Sequence, residues 1–247
     1  MKKGKIYIGT SGWKYKHWNG VFYPPDLKQQ DQLDYYVQIF DTVELNNSFY
    51  KQPSAENFSV WKNAVSKQFI FAVKANRYFT HLKKLKVSED DILGFLDRAA
   101  HLGKKLGPIL FQLPPSWKIN VERLANFLKL LPKHFRYTIE FRNPSWYDPQ
   151  VYQLLTEHDV AFCIYELAGH ISPSIQTADF VYIRLHGPGD KYQGNYNDET
   201  LKLWAKFAST AARANKDVYI YFDNDQDGYA AFNAKRLLEM LASGGSN

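Results

Sequence analysis

Apolar residues gather in eight short runs, separated by longer segments in which the apolar positions are more widely spaced. The runs are 5–9, 42–46, 69–74, 109–113, 137–141, 161–164, 181–186 and 218–223. Short runs rich in β-branched and aromatic residues predict buried strands. Six of them alternate. Val43 and Leu45 oppose Thr42, Glu44 and Asn46; Ile139 and Phe141 oppose Thr138, Glu140 and Arg142. Val181, Ile183 and Leu185 oppose Tyr182, Arg184 and His186; Ile220 and Phe222 oppose Tyr219, Tyr221 and Asp223. Successive strand residues point to opposite faces, so each of these strands has one apolar face and one face that turns polar near its C-terminal end.

The intervening segments carry helical spacing. Leu33, Tyr36, Val37 and Phe40 share a face. Ser88 is placed to cap a helix burying Ile92, Phe95, Leu96 and Ala99, and Asn120 to cap one burying Val121, Leu124, Phe127, Leu128 and Leu131 before Pro132 stops it. Leu201, Trp204, Phe207, Ala208 and Ala211 form another stripe, and Phe232, Leu237, Leu238 and Leu241 mark the last helix. The segment 54–64 is a weaker helix, and Ser172-Pro173-Ser174 leaves room for little helix after the sixth run. Strands alternating with helices predict an α/β fold with a mostly parallel sheet. Eight such units in 247 residues predict a closed TIM-like (β/α)8 barrel. No linker divides the chain, so residues 1–242 are expected to be one barrel domain and residues 243–247 a flexible C-terminal tail.

Composition narrows the classes. The chain is 45% hydrophobic and 23% charged, which excludes a disordered protein. Cys163 is the one cysteine, which excludes an internal disulfide framework or a cysteine-rich metal site. The net charge of +6 is compatible with anionic ligands or nucleic acid and selects neither. The basic start, Met1-Lys2-Lys3-Gly4-Lys5, precedes an apolar run too short for a signal peptide, and no run approaches a membrane span. A cytoplasmic protein without membrane contact is expected.

In a barrel the polar faces point inward and the C-terminal strand ends carry the chemistry. Glu44, Glu140, His186 and Asp223 are therefore the candidate catalytic residues, as carboxyl and imidazole groups able to move protons. Asn46, Lys74, Gln112, Arg142, Arg184, Gly187 and Tyr192 are the candidate substrate-binding residues. The loop from Gly187 to Gly194 has glycines suited to presenting backbone N–H groups to an anion. Trp13, Trp18 and Trp146 follow strand ends and are expected as an aromatic rim, either stacking on a ring or closing the barrel end. Two arginines and a lysine in this set oppose an open cation site, so no metal or cofactor is expected. Glu140 beside Arg142 or Arg184 also fits a structural ion pair. The expected partner is a small anionic molecule, such as phosphate or a phosphorylated or hydroxylated metabolite. Nucleic acid, bound through Lys74, Arg77, Lys83, Lys84 and Lys86, is the alternative, as is a ligand-binding protein without catalysis.

Several motifs together carry a family resemblance. They are Gly9-Thr10-Ser11-Gly12-Trp13, Glu44-Leu45-Asn46-Asn47-Ser48-Phe49-Tyr50, Gln112-Leu113-Pro114-Pro115-Ser116 and Glu140-Phe141-Arg142-Asn143-Pro144-Ser145-Trp146. Arg184-Leu185-His186-Gly187 and Tyr221-Phe222-Asp223-Asn224-Asp225, with Gly228-Tyr229-Ala230, complete the set. The chain resembles the DUF72, or YecE-like, family over essentially its whole length. The resemblance implies a TIM-barrel-like fold and a bacterial or archaeal cytoplasmic protein, and it implies no settled activity. The family's last motif often reads Phe-Asn-Asn; here it is Phe222-Asp223-Asn224, which adds a charge.

Overall fold

A computed structural model describes residues 3–243, so of the expected tail 243–247 only Ser243, the end of the last helix, lies within the described residues. The strands are β1 (Ile6–Thr10), β2 (Thr42–Leu45), β3 (Ile70–Lys74), β4 (Leu106–Leu113), β5 (Tyr137–Phe141), β6 (Val160–Phe162), β7 (Ile164–Leu167), β8 (His170–Ile171), β9 (Phe180–Leu185) and β10 (Asp217–Phe222). The helices are α1 (Gln32–Tyr36), α2 (Ala55–Asn63), α3 (Glu89–Ala99), α4 (Val121–Leu128), α5 (Pro149–Glu157), α6 (Asp198–Arg213) and α7 (Tyr229–Ser243). The fold is α/β, with two mostly parallel sheets in the orders β1-β10-β9-β7-β8 and β2-β3-β4-β5-β6. Among the described residues no helix is long and apolar enough to cross a membrane.

The chain forms two compact units. The first comprises Met1–Glu44, Ile164–Ser172 and Phe180–Asn247. Its sheet aligns Gly9, Tyr221, Arg184 and Tyr165 in one row across β1, β10, β9 and β7. Val181, Ile183, Leu185, Ile220 and Phe222 are buried. The ladder continues past the strand ends: Ser11 N–H donates to Phe222 O, Asp223 N–H to Leu185 O and His186 N–H to Glu166 O. Those bonds fix the backbone of two candidate positions, Asp223 and His186. Glu44 is brought to β1 by the donation from Gly12 N–H to its carbonyl at 2.8 Å.

The second unit comprises Leu45–Cys163 and Pro173–Asp179. In it β4 pairs with β3 and β5, and β5 with β6, all parallel. The helix starts follow the expected capping. Ser88 accepts from Asp91 N–H while the Asp91 carboxylate accepts from Ser88 N–H, a reciprocal capping box, and Asn120 accepts from Arg123 N–H.

Two elements differ from the pattern reading. The helix α5 was not expected between the fifth and sixth runs; it starts at Asp148, whose carboxylate caps Gln150 N–H, with Pro149 in its first turn. Its buried apolar residues are only Val151 and Leu155, too few for a clear stripe. The sixth run is two strands rather than one: β6 pairs with β5, β7 pairs with β9, and Cys163 lies between them. After β7 there is a hairpin to β8 instead of a helix, turning at Ala168 and Gly169, both with positive φ.

Candidate functional site

In the first unit the polar strand faces bring Glu44, Arg184, His186 and Asp223 into one hydrogen-bonded cluster. The Glu44 carboxylate and the Arg184 guanidinium are both fully buried and meet side-on. Arg184 Nε donates to Glu44 Oε2 at 2.9 Å and Nη2 donates to Oε1 at 2.6 Å. Ser11 Oγ donates to Oε1, and Tyr182 Oη donates to Oε2 at 2.7 Å. Glu44 therefore receives four hydrogen bonds, the acceptor capacity of a carboxylate. Paired ions of this kind are tolerated in a core only when each is fully satisfied.

Arg184 also reaches the other two candidates. Nη2 lies 3.1 Å from Asp223 Oδ2, and Nη1 lies 3.2 Å from His186 Nε2. An arginine nitrogen only donates, so His186 Nε2 accepts. The hydrogen of His186 is then on Nδ1, where it donates to Asp223 Oδ2 at 2.9 Å. Asp223 is thus held by both Arg184 and His186. Arg184 serves two carboxylates, so the cluster carries no surplus positive charge to offer an anion.

The cluster leads outward to a surface cavity of about 370 Å³ lined by His17, Lys191, Tyr192, Asp225, Gln226 and Asp227, among others. Tyr192, with its ring edge-on to His186 at 5.5 Å, links the cavity to the buried residues. His17 Nε2 is 2.7 Å from Asp225 O, so that nitrogen carries the hydrogen, and it lies 3.4 Å from Asp225 Oδ2. Burial pushes the Asp225 carboxyl up from the ordinary aspartate range, and the charge of Asp223 raises it further. The Tyr15 hydroxyl donates to Ser11 O, and its pKa is raised well above the phenol range, chiefly by burial and then by Asp223, Asp225 and Glu44.

The Gly187–Gly194 loop uses much of its hydrogen bonding internally. Gly187 N–H donates to Tyr196 Oη, Lys191 N–H to Asp190, Gln193 N–H to Asp190 O and Gly194 N–H to Gln226. The expected anion cradle is corrected accordingly: these four donors are engaged within the protein.

The remaining candidate catalytic and substrate-binding residues lie in the second unit. Glu140 is fully buried and accepts from Arg142 Nε, with Cys163 Sγ 3.9 Å from its other oxygen. Gln112 sits opposite Glu140 in the β4–β5 register. Lys74 is buried, with Nζ 4.4 Å from the Phe49 ring centroid. Asn46 is half-buried at the start of the Asn47–Phe49 turn, and its Oδ1 has no hydrogen-bond partner. This unit has its own cavity of about 480 Å³, lined in part by Leu128, Leu131, Phe135, Tyr137 and Val160, and no candidate residue is among its walls. Among the described residues no group of three or more His, Cys, Asp or Glu side chains is placed to hold a metal ion.

The aromatic rim also needs correction. Trp18 and Trp146 are fully buried and Trp13 nearly so. Trp18 Nε1 donates to Asp225 O and its ring packs on Phe22; Trp146 Nε1 donates to Trp117 O and its ring stacks on Phe141. An indole with its N–H satisfied is a core element, which is how these two serve. Asp225 and His17, which border the cavity, lie outside the candidate set. Asp225 belongs to the acidic run after the eighth strand, a signal visible in sequence; His17 has no pairing motif to mark it.

Comparison with known proteins agrees with the motifs. A family model described as "Protein of unknown function DUF72" matches residues 7–247. The UPF0759 protein YunF of Bacillus subtilis is 28% identical, over 96% of this chain and 94% of that protein. The crystal structure of a DUF72 family protein from Thermotoga maritima has a TM-score of 0.88 at 30% identity, covering 96% of this chain and 99% of that one. A DUF72 family protein from Enterococcus faecalis, 22% identical, shares the fold with a TM-score of 0.80 over 98% of this chain and 99% of its own.

Proposed function

The chain belongs to the DUF72 family, which brings no assigned reaction, and we propose from the site itself that it is an enzyme doing acid–base chemistry on a small hydroxylated molecule. Asp225 is the proton donor and, once ionised, the acceptor. The observation that carries this reading is the contrast between two neighbouring carboxyls. Asp223 is engaged by Arg184 and His186, an arrangement that favours its charged form. Asp225 borders the cavity, and burial and the Asp223 charge favour its protonated form. Neighbouring carboxyls driven apart in this way are the usual basis of acid–base division of labour.

Glu44 and Arg184 are positioning residues in this scheme, because both are consumed by the cluster. His186 orients Asp223 through Nδ1–H. Tyr192, exposed over His186, supplies a face for a sugar-like or other hydroxylated ring. The cavity sets Asp225 and Asp227 against one lysine, Lys191, which favours a neutral polar ligand over the phosphorylated one expected from composition. The closed (β/α)8 barrel over residues 1–242 and a cytoplasmic location are parts of the same proposal. The parallel strands in βα order support the first, and the single cysteine is compatible with the second.

Carbon-13 NMR of the aspartate carboxyls tests the carrying observation. Asp225 is expected to titrate above the ordinary aspartate range. Asp223→Asn removes the neighbouring charge and is expected to bring the Asp225 midpoint down, leaving the part due to burial. The raised group favours folding at low pH, and that contribution is lost as pH rises through the folded-state midpoint. An Asp225 carboxyl titrating at an ordinary value in the native chain would remove the proton donor and with it the reading.

A further inference from the structure

The walls of the surface cavity come from two separate parts of the chain. Lys191, Tyr192 and Gln193 lie between β9 and α6, whereas Asp225, Gln226 and Asp227 lie between β10 and α7. Side chains join these two segments. Asn224 Nδ2 donates to Gly194 O at 2.8 Å, and Gly194 N–H donates to Gln226 Oε1 at 3.3 Å. Both backbone groups of Gly194, two residues after Tyr192, are thus held by the segment that carries Asp225.

The join has a hub that the proton-transfer scheme does not use. Asn233 of α7 is 4% exposed and is not among the cavity walls. Its Oδ1 accepts from Asn224 Nδ2 at 2.9 Å and from Tyr196 N–H at 3.2 Å. Its Nδ2 donates to Asn195 Oδ1 at 2.7 Å and to Tyr196 O at 3.4 Å. Four hydrogen bonds are the full capacity of a side-chain amide. Two backbone groups dictate how the amides are turned. Tyr196 N–H only donates, so Asn233 Oδ1 faces it; Gly194 O only accepts, so Asn224 turns Nδ2 toward it and toward Asn233. The Asn224 backbone is tied to the same helix, with Ala230 N–H donating to Asn224 O at 3.0 Å. Helix formation does not call for this residue, because asparagine favours a helix less than alanine does.

We propose that Asn233 is a positioning residue, which clamps the loop carrying Tyr192 to the segment carrying Asp225 and so sets the width of the cavity between them. The proposal rests on the reading of that cavity as the functional site. The physical basis is directional satisfaction. A buried amide with all four bonds made specifies one arrangement of Asn195, Tyr196 and Asn224 around α7. Any other arrangement leaves the Tyr196 N–H or the Asn224 amide without one of its acceptors. A ligand then meets Tyr192 and Asp225 already in place, and binding carries little cost of ordering the loop.

Hydrogen exchange and nuclear Overhauser contacts of the full-length chain, without ligand, test the clamp. In the native chain the Gly194 and Tyr196 amides are expected to be protected, with the Tyr192 ring in contact with His186. Asn233→Ala is expected to quicken exchange at both amides by at least about tenfold and to abolish the ring contact. The core amides of Ile183 and Ile220, which report on global unfolding, are expected to change far less. Native Gly194 exchange and a native ring contact in folded Asn233→Ala overturn the proposal. That holds even if Ile183 and Ile220 exchange faster, which is the mark of a merely structural residue. Asn195→Ala covers the case in which Asn233→Ala does not fold. It removes only the exposed acceptor of the hub. A smaller quickening at Gly194 and Tyr196 and a weaker ring contact are expected; no change in any of the three overturns the proposal. None of these signals involves the titration of Asp225. A failed clamp is therefore distinguishable from a failed assignment of the proton donor, which is read from the Asp225 carboxyl in the native chain.

Discussion

Replacing Arg184 with methionine is expected to cost about 3–5 kcal/mol of folding stability, because it strands a buried carboxylate without its cation. Arg184 and Glu44 are both fully buried, and the arginine supplies two of the four hydrogen bonds that Glu44 accepts. Without it Ser11 and Tyr182 remain as donors, and neither offsets a full charge. Asp223 loses the same partner. Urea denaturation measures the loss. The double variant Arg184→Met with Glu44→Gln is expected to recover much of it, since the amide is neutral, its oxygen accepts from one of the Ser11 and Tyr182 hydroxyls, and its NH2 donates to the oxygen of the other. A cost below about 1 kcal/mol for the single variant, the level of an exposed ion pair, would mean that Glu44 and Arg184 are not the buried pair described here.

Gly187→Ala is the second large effect. Gly187 has a φ of +110°, and a Cβ there would lie 2.1 Å from Gln193 O and 2.9 Å from the Gln193 backbone nitrogen. Both obstacles are backbone, so no side-chain rotation relieves them. The dihedral strain alone is worth about 1–3 kcal/mol, and the clash adds to it or displaces the loop. Either stability falls by at least about 2 kcal/mol on that basis, or the Tyr192 ring leaves His186 and the nuclear Overhauser contact between the two rings is lost. Denaturation and NMR together cover both routes. An alanine variant with native stability and an intact ring contact would contradict the geometry of this turn.

The parts of the molecule that were legible in the sequence are those set by alternation. Glu44, Arg184, His186 and Asp223 occupy polar strand positions opposite apolar ones, and the fold places these four together in one cluster. The caps at Ser88 and Asn120 were legible because capping depends on neighbours three residues away. What alternation cannot specify is pairing across long separations. In sequence Arg184 reads either as a cation for an anionic ligand or as an ion-pair partner of Glu140. In the fold it meets Glu44, 140 residues away, and Asp223. Trp18 and Trp146 read as a rim because they follow strand ends, yet each finds a backbone carbonyl for its N–H and closes into the core. The division of the sixth run at Cys163 was also hidden, since a continuous apolar run does not reveal that its two halves join different sheets.

The central claim is that Asp225 and the cavity beside Tyr192 hold a small neutral hydroxylated molecule for proton transfer. Saturation-transfer NMR with a panel of neutral sugars and polyols, each beside its phosphate ester, tests it most directly. The account predicts signal from neutral members that is lost in Tyr192→Ala, with weaker signal from the corresponding phosphates. Binding confined to the phosphates, or neutral binding unchanged in Tyr192→Ala, would contradict it.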